Sequence, residues 1–498
     1  MLRKIRIAVA LIIFVLINLF FLNLTDWMSS DFGLLEKIQF VPAVLASNVV
    51  VVLIWLLLTL IFGRVYCSVI CPMGVFQDVV AWFSKRGKKN KNRYTYSPAK
   101  TVLRYVVLVV FVASIVLGIA VIPALIEPYG AYGKMVANVF APVYGWLNNL
   151  LASISYALGG YGFIPEQVVL HNVVAIIISV LTFVVIGFMA WKWGRTYCNT
   201  FCPVGTFLGI ISKYSLFKMR IDTDKCKHCK LCGKRCKASC IDTANTKIDY
   251  SRCVACFDCI DNCEFGAISY SLRKKRESVA QTDEKEAGES VDTSRRQFLA
   301  TSAVAAVTVP LMSAKAQADA AVAFIEGGVE PERAPVVPAG GLSKQHFLEH
   351  CVACHLCVTR CPSKVLVPSL KEYGLEGFMA PVMSFEQGYC RPDCNMCSQV
   401  CPAGAILKIT TEAKKSIKIG NAIWLTENCL LSHDKKCGNC VSRCPQKALT
   451  LVKDDSGKSR VVVDESKCIG CGACEHYCPA DPYKAIYVKG LDEHKNIN

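Results

Sequence analysis

Cysteine is the residue through which this chain does its chemistry: there are 29 in 498 residues. Two runs carry the spacing C-x2-C-x2-C-x3-C, namely Cys226, Cys229, Cys232 and Cys236, then Cys253, Cys256, Cys259 and Cys263. Four further quartets stand towards the end of the chain: Cys351, Cys354, Cys357 and Cys361; Cys390, Cys394, Cys397 and Cys401; Cys429, Cys437, Cys440 and Cys444; and Cys468, Cys471, Cys474 and Cys478. In each of these four the last cysteine precedes a proline, at Pro362, Pro402, Pro445 or Pro479. Thiols this close in sequence let a loop wrap three corners of a [4Fe-4S] cube, while the helix that follows presents the fourth thiol to a neighbouring cube. The chemistry is one-electron transfer. Four-cysteine zinc sites rarely repeat this spacing. Cys351-Val352-Ala353-Cys354-His355 is a literal match to c-type haem attachment, but Cys357 and Cys361-Pro362 continue the run and claim both cysteines for a quartet.

For the first array the spacing assigns Cys226, Cys229, Cys232 and Cys263 to one cluster, and Cys253, Cys256, Cys259 and Cys236 to the other. Lys237 and Glu264 stand where a proline normally follows the fourth cysteine. Cys240 is an extra thiol that could replace Cys236 as ligand, although Cys236 has the regular spacing.

Four cysteines lie outside the quartets, within an internal repeat. Gly63-Arg64-Val65-Tyr66-Cys67 leads to Cys71-Pro72-Met73-Gly74, and Gly194-Arg195-Thr196-Tyr197-Cys198 leads to Cys202-Pro203-Val204-Gly205. Cysteines four apart share a helical face or a turn, and can ligate metal or cycle as a dithiol. Packing alone would not require the matched Gly-Arg-x-Tyr-Cys contexts, so Cys67, Cys71, Cys198 and Cys202 are candidate redox or metal-binding residues.

The elements that position these thiols are apolar. Hydrophobic residues make up 53% of the chain and its mean hydropathy is +0.36, high for a soluble protein. Runs at residues 7–24, 43–62, 102–125 and 168–191 approach the roughly 20 residues that span a bilayer. The net charge of +17 could suggest nucleic acid, but its basic residues gather beside the apolar runs, as the positive-inside rule expects of cytoplasmic flanks. Each repeat copy ends a helix pair of the same orientation, which predicts a pseudo-twofold axis along the membrane normal and brings the two cysteine pairs towards one another. Residues 135–161, broken by Pro142 and Gly145, read as an interfacial or re-entrant element. The fold class expected is a four-helix polytopic membrane domain with an internal two-helix repeat (1–215), plus α+β ferredoxin-like domains: a two-cluster domain inside (216–272) and a four-cluster domain outside (346–490).

Between the arrays the chain crosses the membrane. A polar linker (273–293) leads to residues 294–318, which open on Arg295-Arg296, run through a mildly apolar stretch and close on small residues. This reads as a twin-arginine export signal or a fifth membrane segment. A second linker, rich in Ala, Pro and Gly, covers 319–345. Sixteen cysteines outside the cytoplasm would ordinarily suggest disulfides. The recurring C-x2-C-x3-C-P spacing argues against them, and so does an export route that carries proteins already folded around their cofactors.

Residues 1 to about 270 resemble the membrane iron-sulfur quinol dehydrogenase subunits of periplasmic nitrate reductase systems, the NapH type, through the paired C-x3-C-P motifs and the double cluster motif. Residues 294 to about 490 are similar to their exported four-cluster partners, the NapG and MauM type. The resemblance is to a natural fusion of both. It implies six [4Fe-4S] clusters, a quinol as substrate, the membrane quinone pool and a periplasmic terminal reductase or cytochrome as partners, and the twin-arginine translocase for export. It places the protein in a bacterial inner membrane, the N-terminus and first ferredoxin domain cytoplasmic and the second periplasmic. By analogy with four-cluster subunits of molybdoenzymes, the outer two quartets would pair, as would the inner two. Cys478 would then complete the cluster of Cys351, Cys354 and Cys357, Cys361 that of Cys468, Cys471 and Cys474, Cys444 that of Cys390, Cys394 and Cys397, and Cys401 that of Cys429, Cys437 and Cys440. The sequence equally permits pairing of adjacent quartets.

Quinol oxidation needs proton acceptors, for which Glu127 and His171, at the outer ends of the third and fourth apolar runs, are candidates. Hydrated interfacial residues would look the same. Two other functions fit the motifs: a MauM- and MauN-like maturation factor that reduces thiols or metals of another exported protein, and a cupric reductase resembling the cytochrome oxidase assembly ferredoxins. The four later quartets oppose the second. No nucleic-acid, nucleotide, flavin or molybdenum motif is evident.

Overall fold

The computed structural model describes residues 1–22, 33–85, 94–160, 162–170, 172–272, 329–433, 435–453 and 457–497. His171, the linker from residue 273, the export-signal segment at 294–318 and the second linker up to residue 328 lie outside these residues.

A largely apolar run, with Arg3, Lys4 and Arg6 in its first turns, makes α1 (Leu2–Leu22), 21 residues or about 30 Å long. Short helices α2 (Leu34–Lys37) and α3 (Phe40–Leu45) precede α4 (Val49–Phe62), whose first turn is capped by Asn48, the side-chain oxygen accepting from Val51 N at 3.3 Å. Gly63 ends α4 at φ 78°, a backbone state that costs a glycine little. The chain then folds back through α5 (Val65–Val69) into α6 (Pro72–Ser84). The next run divides into α7 (Thr101–Val116) and α8 (Val121–Ile126). These are followed by α9 (Pro128–Met135), a π-helical turn (Val136–Phe140) and α10 (Ala141–Ala157). The second repeat copy gives α11 (Val173–Trp193), α12 (Thr196–Thr200) and α13 (Pro203–Ser212), with Gly194 at φ 68° in the place of Gly63.

Two of the four expected spans reach full length: α1 and α11, each of 21 residues. The run at 43–62 is cut because the chain turns at Ser47, φ 53°, and Asn48, leaving 14 residues in α4. The run at 102–125 breaks at Gly118, φ 70°, leaving 16 in α7. The stretch at 135–161 is helical throughout most of its length.

The two cysteine-rich modules sit at opposite ends of α1. At its start Arg3 Nε meets Asp258 of the first module at 2.9 Å. At its far end the Arg360 guanidinium of the second module lies 4.8 Å over the Phe20 ring. In the first module, strand Phe217–Ile221 pairs antiparallel with Ile268–Leu272. In the second, strand Leu366–Pro368 pairs with Pro381–Met383, Leu449–Lys453 with Ser459–Val463, and Ile417–Trp424 with the last strand, Ile486–Asn496. That last pairing closes the third and fourth quartets into one unit and leaves the first and second to form another.

Candidate functional site

The wrapping loops have a common backbone. In the four quartets with C-x2-C-x2-C spacing, the residues on either side of the second cysteine both have positive φ: His228 and Lys230, Ala255 and Phe257, Ala353 and His355, Gly470 and Gly472. Two successive left-handed residues curl the loop so that three thiols face one point. Non-glycine residues there carry a steric cost, which the packing of the loops must offset. Backbone N–H groups aim at sulfur: Ala353 N at Cys351 Sγ, Ile406 N at Cys401 Sγ, Ala448 N at Cys444 Sγ and Ala485 N at Cys478 Sγ, each at 3.4 Å. Such donors favour an anionic thiolate. Burial works the other way and pushes the bare thiols of Cys256, Cys351 and Cys471 up to about 12, so iron must displace their protons on binding.

Cavities lined by four thiols identify the sets. Cys226, Cys229, Cys232 and Cys263 line one, as the spacing predicts. Cys361 shares a second with Cys390, Cys394 and Cys397, and Cys478 a third with Cys429, Cys437 and Cys440. Cys401 lies within electrostatic reach of Cys351, Cys354 and Cys357, and Cys444 within reach of Cys471 and Cys474, the two that Cys468 also neighbours. Adjacent quartets therefore exchange their fourth cysteines, and the outer-with-outer pairing implied by analogy is corrected. The cause is the strand pairing that encloses quartets three and four together. Cys390 N donates to Cys471 O at 2.9 Å, which joins the two units. In the first module Cys236 and Cys240 stand 3.6 Å apart at sulfur, both beside Cys253, so the extra thiol borders the second cluster's ligands. These donor sets fit [4Fe-4S] clusters, which when bound supply one-electron storage.

The repeat copies meet as the sequence predicts. Cys71 and Cys202 occupy the N-cap positions of α6 and α13, with Pro72 and Pro203 at the first helical position, where proline's missing N–H costs nothing. Each copy's arginine crosses to the other copy: Arg64 Nη2 donates to Cys198 O at 3.1 Å and Arg195 Nη1 to Cys67 O at 2.6 Å. Both are wholly buried. Arg64 lies against Gly205 and Arg195 against Gly74, where an added Cβ would come within 2.7 Å and 2.8 Å of the guanidinium groups. All four cysteines are at most 4% exposed.

Arg195 is balanced by Asp78, which also receives Arg6 and Lys237: Arg195 Nε lies at 2.7 Å, Arg6 Nη1 at 2.8 Å and Lys237 Nζ at 3.0 Å, and Lys237 Nζ also meets Asp258 at 3.2 Å. Lys237, out of place in the motif, thus docks the first module on the helices. Sequence reasoning assigned no role to Arg64, Arg195, Gln77 or Asp78; for the two arginines the signal was their identical offset in the repeat. Glu127 is 1% exposed and caps α9, its carboxylate accepting from Tyr129 N at 3.0 Å and from Gly130 N.

Between the helices and the second module lies a cavity of about 490 Å³. Val41, Leu45, Ile115, Ile119 and Pro123 form its apolar wall, and Lys344, Glu349, Glu376 and Cys351 its polar one. Glu127 does not line it.

A family model described as a 4Fe-4S binding domain matches residues 44–91 and 173–223, the two repeat copies, and one described as a 4Fe-4S dicluster domain matches 435–481. An uncharacterised protein of Methanocaldococcus jannaschii is 29% identical over 52% of this chain and 93% of its own length. The ferredoxin-type protein NapF of Escherichia coli is 29% identical over 29% of this chain and 80% of its own. No solved structure matches the chain. The methylamine utilization ferredoxin-type protein MauM of Methylorubrum extorquens is 32% identical over 37% of this chain and 84% of its own length. With thiol quartets arranged for iron-sulfur clusters and a relative matched over most of its length, the chain belongs to the MauM family of ferredoxin-type iron-sulfur electron-transfer proteins, related to NapF.

Proposed function

We propose that the protein is a membrane-anchored electron carrier that oxidises a quinol and passes electrons singly, through the second ferredoxin module, to a periplasmic reductase or cytochrome. The observation that carries this reading is the cavity between α3, α7, α8 and the second module. Its volume falls in the range of small-molecule sites. Its mouth adjoins exposed apolar residues, among them Val44, Val116 and Leu117, which suit entry from lipid. Its inner wall includes Cys351, a ligand of the nearest cluster set, and its carboxylates Glu349 and Glu376 can take the protons a quinol releases. The apolar faces of α4, α7 and α11 and the basic flanks support a membrane setting, with the modules on opposite faces. Burial of Cys67, Cys71, Cys198 and Cys202 opposes the maturation reading, since thiol exchange with another protein needs access.

The test embeds the purified protein in liposomes, adds menaquinol and follows cluster reduction by electron paramagnetic resonance. Reduction that Ile119→Trp abolishes by filling the cavity is the result expected. No signal in the unaltered protein refutes the quinol reading.

A further inference from the structure

The quinol reading leaves the first ferredoxin module without a partner, because the quinol cavity borders the helices and the second module. The first module has an inner and an outer set of thiols. In the inner set Cys236, Cys256 and Cys259 are buried, and the ion pair of Lys237 with Asp78 holds that side against the helices. The outer set, Cys226, Cys229, Cys232 and Cys263, faces outward. Cys229 is exposed, whereas every other cysteine of the chain is buried or half-buried.

The surface around Cys229 is basic. Between Lys225 and Arg235 the loop and the short helix that follows it (Leu231–Arg235) carry Lys225, Lys227, Lys230 and Lys234 as well as Arg235, and no acidic residue. These lysines are all exposed. Lys225 pairs with Asp222 at 3.6 Å, whereas Lys227, Lys230 and Lys234 form no ion pair with a described residue. Nearby acids are engaged in part: Asp261 meets Arg3 at 3.3 Å, and Asp242 accepts from Ala244 N at 2.9 Å and Asn245 Nδ2 at 2.8 Å. Asp224 and Glu264 are exposed and offset part of the charge. Lys227 and Lys230 border the thiol cavity, and so does Phe265, 48% exposed, which sets an apolar ring within the basic rim. An apolar contact inside a charged rim is the layout of a protein docking patch. Lysines alone would be ordinary solvated surface. Placed around the exposed thiol of a cluster, they draw an anionic partner to the point where an electron can cross.

We infer that the face around Cys229 is the docking surface of a small, soluble, acidic one-electron carrier protein, and that the cluster of Cys226, Cys229, Cys232 and Cys263 exchanges electrons with it. One electron passes between the carrier and the cluster, so that one is oxidised as the other is reduced, with no covalent bond made or broken. The inner set, on the side of the helices, is next in line. The lysines act by steering: they raise the rate of productive encounter, and salt screens them.

The experiment mixes the holoprotein in detergent, without quinone, with flavodoxin hydroquinone in a stopped-flow instrument. Each hydroquinone anion loses one electron to become the blue neutral semiquinone, and each oxidised cluster gains one. The rate should fall at least about tenfold as salt rises from about 0.01 M to about 1 M, which shortens the Debye length from about 30 Å to about 3 Å. Lys227→Glu with Lys234→Glu should lower the low-salt rate at least about tenfold, with iron content and the dithionite-reduced electron paramagnetic resonance spectrum unchanged. Lys435→Glu with Lys436→Glu, which reverses exposed charges beside Cys437 in the second module, should leave the rate within about twofold. A readout independent of electron transfer is cross-linking by a carbodiimide, which condenses flavodoxin carboxylates with lysine amines and leaves as its urea. Mass spectra should place the links at Lys225, Lys227, Lys230 or Lys234. Should the charge-reversed variant fail to fold, the salt dependence and the cross-links of the unaltered protein decide. A rate indifferent to salt, a rate that follows Lys435 and Lys436 instead, cross-links confined to the second module, or an unchanged rate in the folded Lys227 and Lys234 variant overturns the proposal. No quinol takes part, so failure here leaves the quinol reading standing, and the reverse holds.

Discussion

Replacing Asp78 by asparagine should detach the first ferredoxin module from the helices. The Asp78 side chain is 12% exposed and accepts from Arg6, Arg195 and Lys237 at 2.7 to 3.0 Å. Burial alone would raise its carboxyl, but Arg195, Lys237 and Arg6 hold it far below the usual carboxylate range. Because the folded-state value is depressed, its contribution is fully present above about pH 4, where an unfolded aspartate is ionised, and is lost only in strong acid. Asparagine keeps the shape and removes the charge, leaving three almost fully buried cations around a neutral amide. Breaking a buried pair in this way costs about 3–5 kcal/mol, which favours local opening by on the order of 10²- to 10⁴-fold. Lys237 retains Asp258 and Arg6 retains Ser68 O, so the lower figure is the better expectation. Hydrogen exchange of residues 217–272 in detergent reads the effect, with α11 as internal reference. Removing one surplus cation through Arg6→Met should recover part of the loss. Exchange unchanged within about threefold, less than 1 kcal/mol, would refute the view that this carboxylate organises the interface.

Other perturbations have definite outcomes. Gly205→Ala should cost about 1–3 kcal/mol, because its Cβ would strike Cys198 O and Arg64, whereas Gly187→Ala, with nothing within 4 Å, should be neutral or stabilising; thermal melts of both variants make the comparison. Exchange of fourth cysteines between adjacent quartets predicts that Cys351→Ser with Cys401→Ser loses about four irons, while Cys351→Ser with Cys478→Ser loses about eight. His494 is held at about 4 by burial, so the folded state binds fewer protons than the unfolded state below about pH 6.5. The docking of the last strand should weaken by about 1 kcal/mol as pH falls from 6.5 to 4, after discount for partial exposure, and His494→Leu should remove that dependence, as hydrogen exchange of residues 486–497 would show.

The chemistry was legible in the sequence because iron-sulfur ligation is local. Spacings of two and three residues fix which thiols one loop can bring together, so the quartets and the first module's cluster sets could be read directly, and a repeat of twelve residues announced its own symmetry. What the spacing could not reach was any partnership decided at long range. The pairing of the last four quartets depends on strand Ile417–Trp424 finding Ile486–Asn496, a contact between segments some sixty residues apart. The helix ends moved for a related reason: hydropathy responds to apolar residues, while Gly118 and Ser47 break the backbone inside apolar runs. Glu127 was conspicuous as a charge among apolar neighbours, and the fold uses its carboxylate to satisfy orphan N–H groups at the start of α9. Composition and motif determined that this protein moves electrons through thiolate-bound iron. Only the tertiary structure decided which thiols share a cluster and that the two crossed arginines lock the repeat between the modules, because sequence spacing constrains residues within a turn or two, whereas buried charge is balanced by whichever group the fold brings near.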